Sequence, residues 1–255
     1  MVELKAPAEI EAMRAAGRVV AIALRQMRER AAVGVSLLEL DQVARGVLAE
    51  HGASSPFLHY QPSFAHSPFP AVICSSVNDA ALHGIPSRYR LADGDLLSLD
   101  FGATLNGWTG DSAISFTVGT PRAEDLRLIE TAERALAAGI AAARPGGRLG
   151  DISAAIGAVA RDGGYGLHTD FGGHGVGRTM HESPSVPNDG KAGRGMRLEP
   201  GLVIAIEPWF MAGGIDSYRV GEDGWTLFSG DGSRAAHVEH TVAVTRNGPL
   251  ILTAL

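Results

Sequence analysis

The chain has 255 residues, 45% of them hydrophobic and 20% charged, with a formal net charge of −6. That length buries a sizeable core without staples, and the acidic balance argues against nucleic acid or an anionic membrane surface as a partner. A single cysteine, Cys74, excludes an intrachain disulfide and a thiolate zinc cluster. The opening MVELKAPAEIEAMR holds no apolar signal core and no later run is apolar enough to span a bilayer, so the cytosol is the expected compartment.

In chain order, Ile10, Met13, Val20, Leu24 and Met27 recur at helical spacing and predict a helix from Ala8 to Ala32. Ser36 with Glu39 forms a capping box for LLELDQVARGVLAEH, and Gly52 stops that helix. RLADGDLLSLD predicts a strand ending in Asp100. Asn106-Gly107 predicts a two-residue hairpin turn that pairs Leu105 with Trp108, Gly102 with Asp111 and Asp100 with Ala113. Pro121 opens a third helix through Ala143, and a fourth runs from Leu149 to Asp162 before Gly163-Gly164. Glycines at 172, 173, 175 and 177 exclude a helix around His174. Pro208 ends the strand LVIAIE, and HVEHTVAV supplies a last strand. The glycines fall in short turns and mark no linker, so one domain over residues 1–255 is expected.

The chain repeats itself. GVSLLELDQVARGVLAEHG aligns with GGRLGDISAAIGAVARDGG, and RLADGDLLSLD with RLEPGLVIAIE. Asp100 then stands over Glu207, Asp111 over Glu239, and His83 of LHGIP over His181 of MHESP. Two copies of a helix–helix–strand unit are too few for a solenoid, so the expected arrangement is α+β, with the site between two halves.

Asp100, Asp111, Glu207 and Glu239 sit in or beside apolar strand segments, with no basic residue close by in sequence. Unpaired buried carboxylates are costly. Two divalent cations would balance the four charge for charge. Oxygen ligands with one imidazole, His174, suit Mn, Fe, Co or Zn. The hairpin register puts Asp100 and Asp111 diagonally on one sheet face, within reach of two metals about 3.5–4 Å apart. Taken singly, Asp111 also suits a solvated hairpin acid, Glu239 an exposed strand acid, and His181 with Glu182 a surface pair. His240 is expected to point away from the face of Glu239.

VNDAALHGIP, LLSLDFGATLNGWTGDSAISFTVG, GGHGVGRTMHESP, VIAIEPW and HVEHTVAVT, in that order, resemble type I methionine aminopeptidases, and KAPAEIEAMRAAGRVVA resembles that family's first helix. The resemblance implies the pita-bread fold, with a pseudo-twofold axis and a curved antiparallel sheet. It implies removal of the initiator methionine from nascent polypeptides whose second residue is small, by a water activated at a dinuclear centre. Asp100, Asp111, His174, Glu207 and Glu239 match the ligands of two divalent metals, with Asp111 and Glu239 bridging. His83 and His181 match the histidines beside the reacting peptide, and Glu207 the proton carrier. Cys74, His66, Phe69 and Trp225 match the methionine pocket. A monomer working near the ribosomal exit tunnel is implied. The competing readings are a proline-specific pita-bread aminopeptidase, whose relatives usually carry an extra N-terminal domain, and a pita-bread binding protein without catalysis.

Overall fold

The structure is a computed structural model that describes residues 2–63 and 65–255. Helices α1 (Pro7–Arg30) and α2 (Leu37–His51) come first, followed by strands β1 (Cys74–Val77), β2 (Ala80–Leu82), β3 (Leu96–Leu105) and β4 (Trp108–Thr117). Helices α3 (Ala123–Ala142) and α4 (Leu149–Asp162) open the second half. It continues with β5 (Gly173–Gly175), β6 (Glu182–Val186), β7 (Val203–Ile206), β8 (Trp209–Met211), β9 (Tyr218–Val220) and β10 (Leu227–Ser229). It closes with β11 (Ala235–His237), β12 (Glu239–Thr245) and β13 (Gly248–Ile251).

All four predicted helices form, with ends shifted by one or two residues where caps and prolines decide. At α2, Ser36 Oγ accepts from the Glu39 amide at 3.3 Å, Glu39 Oε2 accepts from the Ser36 amide at 2.9 Å, and Gly52 terminates the helix at φ 61°. Asn106 (φ 52°) and Gly107 (φ 77°) both lie in the left-handed region, as a type I′ turn requires. The β3–β4 register is the one that turn predicts: Leu105 opposite Trp108, Gly102 opposite Asp111, Asp100 opposite Ala113.

The main sheet runs β1-β3-β4-β12-β7-β5-β6, with β13 on the flank of β12. About the β4–β12 junction, β4, β3 and β1 answer β12, β7 and β5. The hydrogen bonds repeat the symmetry. Gly34 N–H donates to Leu91 O at 2.8 Å, and Gly146 N–H to Leu198 O at 2.8 Å. Leu37 N–H donates to Tyr89 O, and Leu149 N–H to Met196 O. Gly94 N–H donates to Val118 O, and Gly201 N–H to Val244 O. Each half has its own core: Val20, Leu24, Leu40, Leu97, Leu99 and Phe101 in one, Leu128, Ile152, Ile156, Ile204, Ile206 and Val242 in the other.

Strand alternation explains where the acids go. Leu97, Leu99, Phe101 and Ala103 of β3 pack with residues of α1 and α2, so Ser98, Asp100 and Gly102 face the opposite side. A Cβ on Gly102 would lie 2.8 Å from Pro56 Cγ and 3.4 Å from Asp111 Oδ1, so glycine there leaves room for the carboxylate.

Helix α1 lies close against the sheet because two glycines meet: a Cβ on Gly110 would come within 2.9 Å of the backbone of Gly17. Gly110→Ala should therefore cost about 1–3 kcal/mol through overpacking. Urea denaturation measures this, and an unchanged midpoint would contradict the close approach.

Candidate metal centre and substrate cavity

The two halves meet at a short β4–β12 pairing, Glu239 opposite Ala113 and His240 opposite Ser112. Buried hydroxyls extend the join. Thr241 Oγ1 accepts from the Asp111 amide at 2.9 Å and donates to Asp111 O at 2.7 Å. Ser112 Oγ donates to Glu239 O, and Ser98 and Ser115 share a hydroxyl contact of 2.7 Å. Asp111 and Glu239 are thus held by their backbones, and each keeps one buried carboxylate oxygen, Asp111 Oδ1 and Glu239 Oε1, without a hydrogen-bond partner. His240 takes the other direction, toward Thr253 Oγ1 at 2.8 Å, as alternation predicts.

A cavity of about 710 Å³ opens over this join. Asp100, Asp111, His174, Glu207 and Glu239 all line it, with His83 and His181. His174 Nε2 stands 3.5 Å from Glu207 Oε1 and 3.9 Å from Asp111 Oδ2. Its Nδ1 lies 2.9 Å from Gly175 O, an acceptor, so Nδ1 carries the proton and Nε2 keeps its lone pair for the cavity. Asp111, His174 and Glu239 offer ligand atoms within 4.8 Å of one another, as do Glu207, His237 and Glu239. Asp100 adjoins Asp111 and the Cys74 thiol.

The buried oxygens Asp100 Oδ1, Asp111 Oδ1 and Glu239 Oε1 have no hydrogen-bond partner. Burial and the neighbouring carboxylates Asp111 and Glu207 push Asp100 and Glu239 well above the usual carboxylate range. Burial raises Asp111 to about 6, with His174 pulling against it. For Glu207, burial acts upward, but His237, His174 and His181 outweigh it and its pKa is lowered. Orphaned carboxyl oxygens around an imidazole suit a divalent cation, which would displace their protons.

His83 occupies the left-handed region at φ 57°, a strained conformation for a residue with a Cβ. Burial lowers its pKa to about 4, and its ring meets Phe171 edge-on at 5.5 Å. The ring of His181 lies 4.2 Å from His174 and 5.2 Å from Tyr60. His181 is exposed at the cavity mouth, yet the protein packed about its ring and the nearby His174 still lower its pKa.

Phe69, Cys74 and Trp225 form one apolar wall with Phe57, Met180 and Tyr60. His66 does not belong to it. It is exposed and absent from the cavity lining among the described residues, because the neighbouring Phe69 is the apolar side chain that turns inward while the imidazole keeps its water. Tyr60 lines the cavity instead. The sequence also left His237 unmarked, along with Asp170 and Phe171 at the cavity wall.

A duplicated α+β half-barrel holding such a donor set defines a metallohydrolase of the pita-bread fold. Residues 11–246 match the model of metallopeptidase family M24. The chain is 48% identical to methionine aminopeptidase 1 of Mycobacterium tuberculosis, over 99% of its own length and 95% of the relative's. It is 42% identical to the methionine aminopeptidase of Aquifex aeolicus, over 100% and 99%. The crystal structure of methionine aminopeptidase from Thermotoga maritima superposes with a TM-score of 0.94, 36% identity and full coverage of both chains. Prolidase from Pyrococcus furiosus, at 23% identity and TM-score 0.76, shares the fold, and the chain covers only 65% of it. The chain belongs to metallopeptidase family M24 and, within it, to the methionine aminopeptidases. It is accordingly a metal-dependent hydrolase.

The charge cluster sets a pH dependence for the metal-free protein. Asp100 and Glu239 hold protons in the fold at pH values where the unfolded chain has lost them. Their stabilisation is therefore present at low pH and lost as pH rises through their raised folded values. His83 and His181, lowered, act in the opposite direction, but that effect is complete above the ordinary histidine value of about 6.5. As pH rises above about 6.5 the metal-free protein should lose Tm, and saturating Mn²⁺ should flatten the trend by taking the protons' place. A metal-free Tm that rises with pH in that range would contradict the uncompensated cluster.

Proposed function

We propose that the chain is one catalytic unit that removes the N-terminal methionine of nascent polypeptides whose second residue is small, using two divalent metals. One observation carries the reading: four carboxylates and the His174 imidazole share a cavity with an apolar wall of Phe69, Cys74, Trp225 and Met180. Asp100, Asp111, His174, Glu207 and Glu239 would hold the metals, with Asp111 and Glu239 between them. The donor set suits Mn, Fe, Co or Zn. When bound, the metals supply Lewis acidity that lowers the pKa of water and polarises the scissile carbonyl.

The chain's own groups do the rest. Glu207, ionised near neutrality, takes a proton from the attacking water and delivers it to the leaving amine. His83 and His181 are neutral at pH 7 and donate N–H to the peptide and to the developing oxyanion without burying a charge. Phe69, Cys74 and Trp225, with Tyr60 and Met180, receive the methionine side chain, since sulfur packs well against aromatic edges. Burial and nearby carboxylates raise the Cys74 thiol, so it stays protonated and serves as an apolar wall. The site is complete within one chain, which supports a monomer. Among the described residues no helix is long and apolar enough to cross a membrane. That and the acidic composition support work in the cytoplasm, near the ribosomal exit tunnel where new N-termini emerge.

Asp111→Asn should abolish hydrolysis of Met-Ala-Ser and reduce the bound metal while the fold survives, because an amide offers one neutral acceptor in place of two anionic oxygens. Parent-rate hydrolysis with two metals bound would overturn the assignment. Across a Met-X-Ser series, kcat/KM should be high for Ala and Gly and very low for Leu and Lys. Comparable values for Ala and Leu would remove the small-residue specificity.

His181→Ala should keep its metals and lose about 10²–10⁴-fold in kcat. His174→Ala should lose metal affinity as well. Metal titration of both variants decides, and the opposite pattern would mean that the two roles are exchanged.

A further inference from the structure

His237 is buried, with 2% of its surface exposed, and does not line the cavity. It stands beside two of the acids: its Nε2 lies 3.5 Å from Glu207 Oε2 and 4.0 Å from Glu239 Oε2. That nitrogen is buried without a hydrogen-bond partner, and these two carboxylate oxygens are the acceptors that face it. Its backbone is fixed with care. Ser115 Oγ accepts from the His237 amide at 3.0 Å and donates to its carbonyl at 2.7 Å. Ser98 Oγ backs Ser115 at 2.7 Å. The serine pair belongs to β3 and β4 of the first half, whereas His237 ends β11 of the second.

Glu207 is divided between two imidazoles. Oε1 faces His174 Nε2 at 3.5 Å inside the cavity, and Oε2 faces His237 on the outer side. Asn188 Nδ2 donates to the Glu207 carbonyl at 3.0 Å, so backbone and carboxylate are held separately. An oxygen used on a metal leaves its partner oxygen with anionic charge in a dry setting, and that oxygen needs a donor. His237 stands close enough to Glu207 and Glu239 to share a cation with them, but it does not line the cavity, and donation to Glu207 fits that placement better than ligation.

We propose that His237 is a positioning residue: its Nε2–H holds Glu207 Oε2 and so orients the other carboxylate oxygen toward the metal beside His174. The inference rests on Glu207 being a metal ligand. It makes the serine pair part of the same device, since those hydroxyls set the strand that carries the imidazole.

The test compares the parent with His237→Leu and His237→Gln. Glutamine's amide nitrogen reaches about as far as Nε2 and donates, but is a poor substitute for an imidazole ligand. Co²⁺ titration of each metal-free chain, followed by the visible absorption of the bound metal, is read beside the Tm of the metal-free forms. His237→Leu should bind Co²⁺ about 10–100-fold more weakly and show an altered spectrum. His237→Gln should restore both the affinity and the parent spectrum. If leucine binds as the parent does, the inference falls. If glutamine loses as much as leucine, the imidazole itself is the ligand and the inference also falls. Should the leucine variant fail to fold, the glutamine variant alone decides: parent-like binding with a parent-like spectrum supports donation, and weakened binding overturns it. If the parent binds no Co²⁺, the dimetal reading fails first.

Discussion

A cluster of buried carboxyl groups with oxygens left unsatisfied is the constraint around which this molecule is organised. Asp100, Asp111 and Glu239 are aimed into a shared cavity with oxygens that nothing in the protein satisfies. Cations seated there would turn the cost into binding energy, and their removal leaves it exposed. The surrounding structure keeps the acids from escaping to water. Hydroxyls of Ser98, Ser112, Ser115 and Thr241 occupy the join between halves, where longer side chains would part the strands and shorter ones would leave backbone groups unpaired.

Duplication supplies the geometry economically. Each half brings a helix pair, a private core and two strands, and each strand pair brings two carboxylates. The symmetry is broken where the chemistry needs it. In the first half the glycine after His83 packs on the Ser75 backbone and His83 takes a left-handed conformation. In the second, glycines around His174 open a β5–β6 hairpin that carries one imidazole inside and His181 at the mouth. The aromatic wall belongs to segments with no counterpart in the repeat.

Local signals made much of this readable in the sequence. Asn106-Gly107 determined the hairpin and, with it, the relation of Asp100 to Asp111, because both turn residues require positive φ. The Ser36–Glu39 box and the glycines after the helices marked helix ends for stereochemical reasons. Acids among apolar residues pointed to the carboxylates that line the cavity, since strand interiors normally exclude them. What stayed hidden depends on contacts between distant segments. His237 sits in a three-residue strand paired with β8, and its aim is set by serines more than a hundred positions earlier. Tyr60 and Phe171 reach the cavity from irregular segments without periodicity. His66 stays outside the cavity lining because motif position locates a loop and does not fix which of its side chains turns inward.

Four carboxylates lining one cavity are what two divalent cations would neutralise. Isothermal titration of the metal-free chain with Mn²⁺ at neutral pH, repeated in buffers of different ionisation enthalpy, tests this most directly. Two metals per chain, bound with release of protons from the raised carboxyls, is the result the structure predicts. Binding of no metal, or binding without proton release, would contradict it.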